Sequence, residues 1–248
     1  MANSTLILLL EGAMQSWGTR SRWDVRDTGL EPTKSGVIGL IGCAVGLKRN
    51  DPELERLDRT LLFGVRIDRP GVISTDYHTV TGYHRTAAGG FKHSGGVAKS
   101  LKKAQEHGEN TIVSQRDYLH DAAFLVALAV KTENQAADRD LLLRIEKCLR
   151  APRWPLYLGR KSCVPSRPVL VKLTDKYKDV KEALENEPWA ASERQMKQPP
   201  AMLEAWIESL NGEIERQDAM RLNQLRLYDF RRCERKDIET DGLERRDA

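Results

Sequence analysis

Two uninterrupted apolar runs stand out along the chain, Thr5–Leu10 (TLILLL) and Ala122–Val130 (AAFLVALAV). Polar or turn-forming residues flank both, so each predicts a buried strand. Leu61–Asp68 (LLFGVRID) and Val72–Tyr83 (VISTDYHTVTGY) read as strands separated by an Arg-Pro-Gly turn, and Thr111–Leu119 resumes as another. A helix is predicted from Thr33, where Pro32 and a Thr or Ser cap precede VIGLIGCAVGL. Gly36, Gly39, Gly42 and Gly46 lower the helix propensity of that segment. They predict either very close packing against a sheet or backbone approaching a ligand near the helix start. DPELERLDR reads as a short helix, with Asp51 as cap and Pro52 in its first turn. Asp138–Leu149 is amphipathic, with Leu142, Ile145 and Leu149 on one face. Pro155–Gly159 and Pro168–Leu173 are expected to complete the strands.

The resulting order is strand, helix, strand pair, projection, strand, helix, strand. It predicts an α+β fold with a ferredoxin-like split βαβ arrangement and inserted loops. Residues 84–110 lack apolar periodicity and are expected to form a long projection, a length that compact domains keep for functional or disordered loops. Residues 1–175 are thus expected to hold the ferredoxin-like domain with its insertion, and 176–248 a charged extension. The extension contains a charged helix, a break at Pro199–Pro200 and an alternating stretch, LRLYDFRRCE, consistent with a final strand or hairpin returning to the sheet.

A length of 248 residues suffices for one large domain or two small ones. Charged residues reach 31% and the net charge is only +4, so whole-chain electrostatics does not by itself mark a nucleic-acid binder. Cys43, Cys148, Cys163 and Cys233 form no CxxC pair, which argues against a zinc ribbon and a disulfide scaffold. The first apolar run lacks a basic leader and is too short for a signal peptide, and no run could span a bilayer. A cytoplasmic setting without a membrane is expected.

Local charge changes this picture. From Arg150 to Lys172 the cations are Arg150, Arg153, Arg160, Lys161, Arg167 and Lys172, with no acid between them. Arg85, Lys92, Lys99, Lys102 and Lys103 form a second acid-free stretch. The first loop mixes Arg20, Arg22 and Arg26 with Trp17 and Trp23, diluted by Asp24 and Asp27. Arginines interleaved with aromatics suit single-stranded nucleic acid, since cations hold phosphates and π-faces stack bases. Any one stretch alone reads equally as a solvated loop. EPTKSG, at the helix start, combines free N–H groups, two hydroxyls and Lys34, which suits one phosphate, although Walker spacing is absent. It reads equally as an ordinary N-cap.

Catalytic chemistry has thinner support. His78, His84, His93, His107 and His120 show no HExxH or other metal-ligand spacing, so neither a metal nor another cofactor is expected. Tyr83, His84, Lys92 and His93 could serve as acid, base and charge stabiliser in metal-free RNA cleavage. Residues contacting RNA or solvent in a flexible loop are the simpler expectation. Cys163 has basic neighbours that would favour a thiolate, but no motif supplies a base, and a small half-buried residue is the simpler expectation. A phosphometabolite enzyme using EPTKSG lacks any accompanying fingerprint.

Four segments together resemble one family: LEGAMQSWG, PTKSGVIGLIGCAVGLKRND, QRDYLHDAAF and PLYLGRKSCVPSRPV. They are similar to the CasD family, the subunits of type I-E CRISPR Cascade that bind the 5′ handle of crRNA. The resemblance spans most of residues 5–173. It implies an RRM-related, ferredoxin-like domain with a protruding basic thumb, here about His84 to Asn110. It implies an antiviral ribonucleoprotein in which this subunit caps the backbone. Expected partners are the crRNA 5′ handle, a CasC-type backbone subunit, a CasA-type large subunit and target DNA near the complex. Gln15, Trp17, Gly18, Arg20, Arg22, Thr33, Lys34, Ser35, His84, Arg85, Lys92, His93, Arg160, Lys161 and Ser162 become RNA-contacting candidates. Type I-C relatives cut precursor RNA themselves, and Lys92–His93 keeps metal-independent endoribonuclease activity as the alternative to a non-catalytic role.

Overall fold

The run TLILLL becomes β1 (Thr5–Glu11), every residue of which is buried. In the computed structural model, which describes residues 4–19, 24–131, 135–189, 199–221, 228–244 and 246, β1 lies inside a seven-stranded antiparallel sheet. It is followed by short strands β2 (Met14–Gln15) and β3 (Val25–Arg26), then helices α1 (Lys34–Val45) and α2 (Pro52–Thr60). Next come β4 (Leu61–Arg69), β5 (Val72–Gly82), β6 (Phe91–His93), β7 (Gly96–Ala98), α3 (Leu101–Gln105) and β8 (Asn110–His120). The chain continues with β9 (Ala123–Val130), α4 (Gln135–Arg150), β10 (Leu170–Thr174) and α5 (Val180–Asn186). It closes with β11 (Met202–Glu208), β12 (Ile214–Met220) and β13 (Tyr228–Glu239).

The main sheet has the order β10-β1-β9-β4-β11-β13-β12. Its two central apolar strands are uninterrupted because both their faces are covered. Leu6, Leu8 and Leu10 of β1, with Phe124, Val126 and Leu128 of β9, pack in one cluster with α1 and α4. Ile7, Leu125, Ala127 and Ala129 point the other way, into a second cluster with Val180, Ala183 and Leu184 of α5. Gly64 in β4 lets α5 approach, since a Cβ there would lie 2.4 Å from a Val180 methyl. Arg66, fully buried beside it, pairs with Asp68 and donates to the carbonyls of Leu184, Glu187 and Pro188 at the end of α5. Every polar end of that buried cation thus has a partner, as burial demands. Residues after 175 therefore supply both a helix over the sheet and three of its strands.

β5 and β8 form a separate eleven-residue antiparallel ladder, from Val72↔His120 to Gly82↔Asn110. At about 3.4 Å per residue the ladder extends roughly 35 Å. Its base is held by β2 and β3, which pair with Leu119–His120 and Gln115–Arg116 of β8 along the edge away from β5. Beyond Gly82 the chain is not a plain loop. β6 and β7 form a hairpin and α3 packs on it, all too short to leave a hydrophobic period in the sequence. No helix among the described residues is long and apolar enough to cross a membrane.

One expected strand is absent. Residues 155–159 carry no ladder; the preceding Arg153 and Trp154 instead donate N–H groups to the carbonyls of Ala44 and Cys43. These bonds satisfy the last-turn acceptors of α1, which would otherwise lack partners. The apolar residues that suggested a strand are spent along a helix.

Candidate nucleic-acid interface

The loop after β1 is built around its own side chains. Gln15 is buried and donates to the carbonyls of Leu10 (3.1 Å) and Ala122 (2.8 Å), while its Oε1 accepts from the Trp17 indole at 3.0 Å. Trp17 in turn packs against the first turn of α1, where a Cβ on Gly36 would lie 2.9 Å from its ring. Gln15 is thus a brace beneath the surface. Trp17, though 1% exposed, lines an open groove of about 600 Å³.

That groove is lined by Ser16, Trp17 and Gly18, by Arg26 of β3, by Thr33 at the cap of α1 with Ser35 and Gly36 in its first turn, and by Arg49, Gly159, Arg160 and Tyr228. The turn Leu158–Cys163 forms one side. Leu158 N–H donates to the Cys163 carbonyl at 2.8 Å and Cys163 N–H to the Arg160 carbonyl at 2.9 Å. Gly159 sits at φ +94°, where a Cβ would lie 1.8 Å from the Ser16 carbonyl oxygen; only glycine admits that approach. Cys163 is fully buried, and burial pushes its thiol up, away from thiolate reactivity.

Arg160 is fixed by main-chain acceptors. Nη1 donates to Asp117 O at 2.8 Å and Nη2 to Arg26 O (2.8 Å) and Asp27 O (3.2 Å), and the guanidinium lies 4.8 Å from the Tyr118 ring centre. Carbonyls orient the cation without neutralising it. Among the described residues no carboxylate forms an ion pair with Arg26, Arg49 or Arg160, so the groove carries three uncompensated positive charges. A concave surface of one sign attracts an oppositely charged chain.

The structure separates the remaining candidates. Thr33, Ser35 and Gly18 reach the groove. Lys34 does not: it is 1% exposed and its ammonium pairs with Glu208 of β11 at 2.8 Å. Burial pushes its pKa down, with Glu208 opposing the shift. The expected phosphate seat at this helix start is also occupied from within. Lys34 N–H donates to Asp218 Oδ2 of β12 at 2.8 Å, and Gly36 N–H to the Thr33 hydroxyl at 3.2 Å. Lys161 and Ser162 are exposed on the turn but do not line the groove. Arg20 and Arg22 lie outside the described residues.

His84, Arg85, Lys92 and His93 lie at the far end of the β5–β8 arm, roughly 20 Å along the ladder from the β3 contact. His93 is buried and stacks on His107 with ring centres 4.3 Å apart, its Nδ1 accepting from Gly95 N–H. Tyr83 donates to the His107 carbonyl, and His84 Nε2 sits within hydrogen-bond distance of the Val80 and Asn110 carbonyls. Arg85 lies over the Phe91 ring, and Lys92 is exposed. These groups hold the tip together. Arg49 and Tyr228, which line the groove, were absent from the candidates; in the sequence each resembles an ordinary charged or strand residue.

The family model for CRISPR-associated protein (Cas_Cas5) matches residues 5–238. The chain is 35% identical over 177 residues to the CRISPR system Cascade subunit CasD of Escherichia coli (strain K12), an alignment covering 68% of this chain and 70% of that one. A chain of a CRISPR RNA-guided surveillance complex superposes with a TM-score of 0.69 at 32% identity, covering 95% of this chain and 90% of its own. A Cas protein crystal structure superposes with a TM-score of 0.67 at 32% identity, covering 98% of both chains. With the family match running almost end to end, the chain belongs to the CRISPR-associated Cas5 family.

Proposed function

We propose that this protein is a non-catalytic, RNA-binding Cascade subunit that caps the backbone and holds the 5′ handle of the guide RNA. The observation that carries the reading is the groove, where Arg26 of β3, Arg49 of the α1–α2 turn and Arg160 of the Gly159 turn pair with no acid among the described residues. The relatives named for Cascade and for RNA-guided surveillance support it. Residues 1–175 form most of its RNA-binding part, and 176–248 are an extension that buttresses α1 and brings Tyr228 to the groove. The order β10-β1-β9-β4, with α1 and α4 in the crossovers, supports a ferredoxin-like split βαβ unit, and the β5–β8 arm with its 84–110 tip supports a thumb. The arm also suits contact with a CasC-type neighbour, with the CasA-type subunit and target DNA nearby, all in the cytoplasm. Tyr83 Oη, His84 Nε2 and His93 Nδ1 are each engaged by main chain, which favours a structural tip over a cutting site.

The test is to titrate the protein with labelled handle RNA in EDTA while following binding and integrity of the RNA. Binding is expected without cleavage. Its affinity should fall with salt, the log–log slope lying near about −2 for three phosphates on a single strand. Arg49→Glu should weaken binding by about 1–3 kcal/mol. Salt-independent binding with no response to Arg49→Glu would remove the groove from the site. Site-specific cleavage abolished by His93→Ala would establish the endoribonuclease instead.

A further inference from the structure

The cationic groove does not end at Arg49. Ser35, Gly36, Arg49, Gly159 and Tyr228 also line a second groove, of about 550 Å³, that runs along α1. The second groove has a different, mainly apolar lining, in which Gly39 and Cys43 of α1 face Leu47, Trp154 and Tyr157. Its wall is built into the fold. The Trp154 N–H bond to Cys43 and the Arg153 bond to Ala44 fix the segment at one end, and the Leu158–Cys163 bond fixes it at the other.

Gly39 is the informative position. A Cβ on Gly42 would collide with Leu54, and one on Gly36 with Trp17, so those glycines serve packing within the chain. A Cβ on Gly39 would meet no described atom within 4 Å. Glycine weakens a helix, and here no described residue uses the room it leaves. That room opens into a groove whose Trp154 is 37% exposed and whose mouth carries the unpaired Arg49. Aromatic faces beside a cation-lined path are the surfaces on which the bases of a single strand stack.

We propose that the α1 groove seats unstacked bases of the RNA whose phosphates lie along Arg26, Arg49 and Arg160. The inference rests on the RNA-binding reading above and adds the place where bases, as opposed to phosphates, are held. A polypeptide occupant would find apolar walls here too, but the uncompensated arginines at the mouth favour a polyanion.

The test uses the full chain with fluorescent handle RNA and an abasic RNA of the same length. Wild type should bind the base-bearing strand at least tenfold more tightly than the abasic one. Gly39→Leu, which projects into open space on a helix, should leave the thermal midpoint unchanged or raised and should abolish that tenfold preference. It should spare the salt-dependent binding that both RNAs share. A second readout needs no variant: base-bearing RNA should slow alkylation of Cys43 at alkaline pH, while Cys148 on α4 reacts as before. Equal binding of both RNAs with no protection of Cys43 would overturn the base seat while leaving the phosphate groove standing. Loss of binding to both RNAs on Arg26→Glu would confirm that groove independently. Failure of the wild type to bind either RNA would overturn both readings. If Gly39→Leu disrupts association with neighbouring subunits at unchanged RNA affinity, the groove seats polypeptide and the inference falls.

Discussion

Arg160 and Lys92 sit in equally basic, acid-free stretches, yet the fold uses the two charges in opposite ways. Arg160 is half-buried, oriented by three carbonyls and laid over Tyr118. Lys92 extends from a three-residue strand at the end of a two-stranded arm. A charge fixed before binding loses little side-chain freedom when a phosphate arrives, whereas an exposed lysine loses about 0.5–1.5 kcal/mol on being held. On the proposed reading, affinity is concentrated in the groove and the arm supplies reach. Isolated hairpins are marginal in water, and the arm's exposed Val72, Tyr77 and Val80 agree with the proposal that a neighbouring subunit completes it.

The largest effect that would sharpen this contrast comes from Gly159→Ala. The left-handed backbone costs a β-carbon about 1–2 kcal/mol, and the Ser16 carbonyl occupies the space it needs. Either the turn or the loop carrying Trp17 must move. We expect at least about 3 kcal/mol lost from stability or from RNA binding, since backbone clashes add to the dihedral cost. Thermal unfolding and RNA titration together measure it. Gly96→Ala at the tip, also at positive φ but with no atom within 4 Å of a Cβ, should lose only the dihedral cost. Equal losses at the two glycines would break the distinction between a built groove and a free-standing tip.

These two regions also differ in how far the sequence reveals them. β1 and β9 are legible because burial on both faces leaves continuous apolar runs, and α1 because Thr33 caps it where a cap is expected. The segment around Trp154 is not legible. Its apolar run matches a strand, and nothing local shows that its N–H groups will meet α1 carbonyls. Lys34 reads as a phosphate ligand because its partners, Glu208 and Asp218, lie 174 and 184 residues away. Arg26 joins Arg160, already a candidate from the sequence, only when β3 and the turn meet at a shared carbonyl. At the tip, the stack of His93 on His107 joins residues across a hairpin and helix too short to leave a period.

A smaller effect separates the regions by pH. Asp58 of α2 is buried beneath α1 beside Lys34 and Asp218, with one oxygen lacking any hydrogen bond. Burial raises its pKa from the ordinary 3.8 to about 6, against the attraction of Lys34. Because the folded value is the higher one, this group's contribution to stability is complete below pH 3.8 and is lost as pH rises through 6. Asp58→Asn should therefore raise stability over wild type above pH 6, by up to about 3 kcal/mol at 1.4 kcal/mol per pK unit. The gain should shrink toward zero below the unfolded value. Calorimetry across that range measures it, and a gain independent of pH would show that Asp58 titrates alike in the folded and unfolded chain.

The smallest expected effect belongs to the arm. Lys92→Ala removes one exposed cation whose contact with RNA, if made, would be screened by salt and offset by side-chain entropy. An exposed charge contact of that kind contributes about 0.2–1 kcal/mol, so RNA affinity should change by less than about fivefold. His93→Ala should leave affinity similarly close to wild type but unpack the tip, because it deletes a buried ring stacked on His107 and the acceptor of Gly95 N–H. Hydrogen exchange should then accelerate at residues 91–107 and not in β1, β9 or α1. If either substitution matches the loss seen on Arg49→Glu, the tip is a binding site in its own right. Affinity would then be shared between a fixed groove and an extended arm, and the arm's length would set which part of the RNA each one holds.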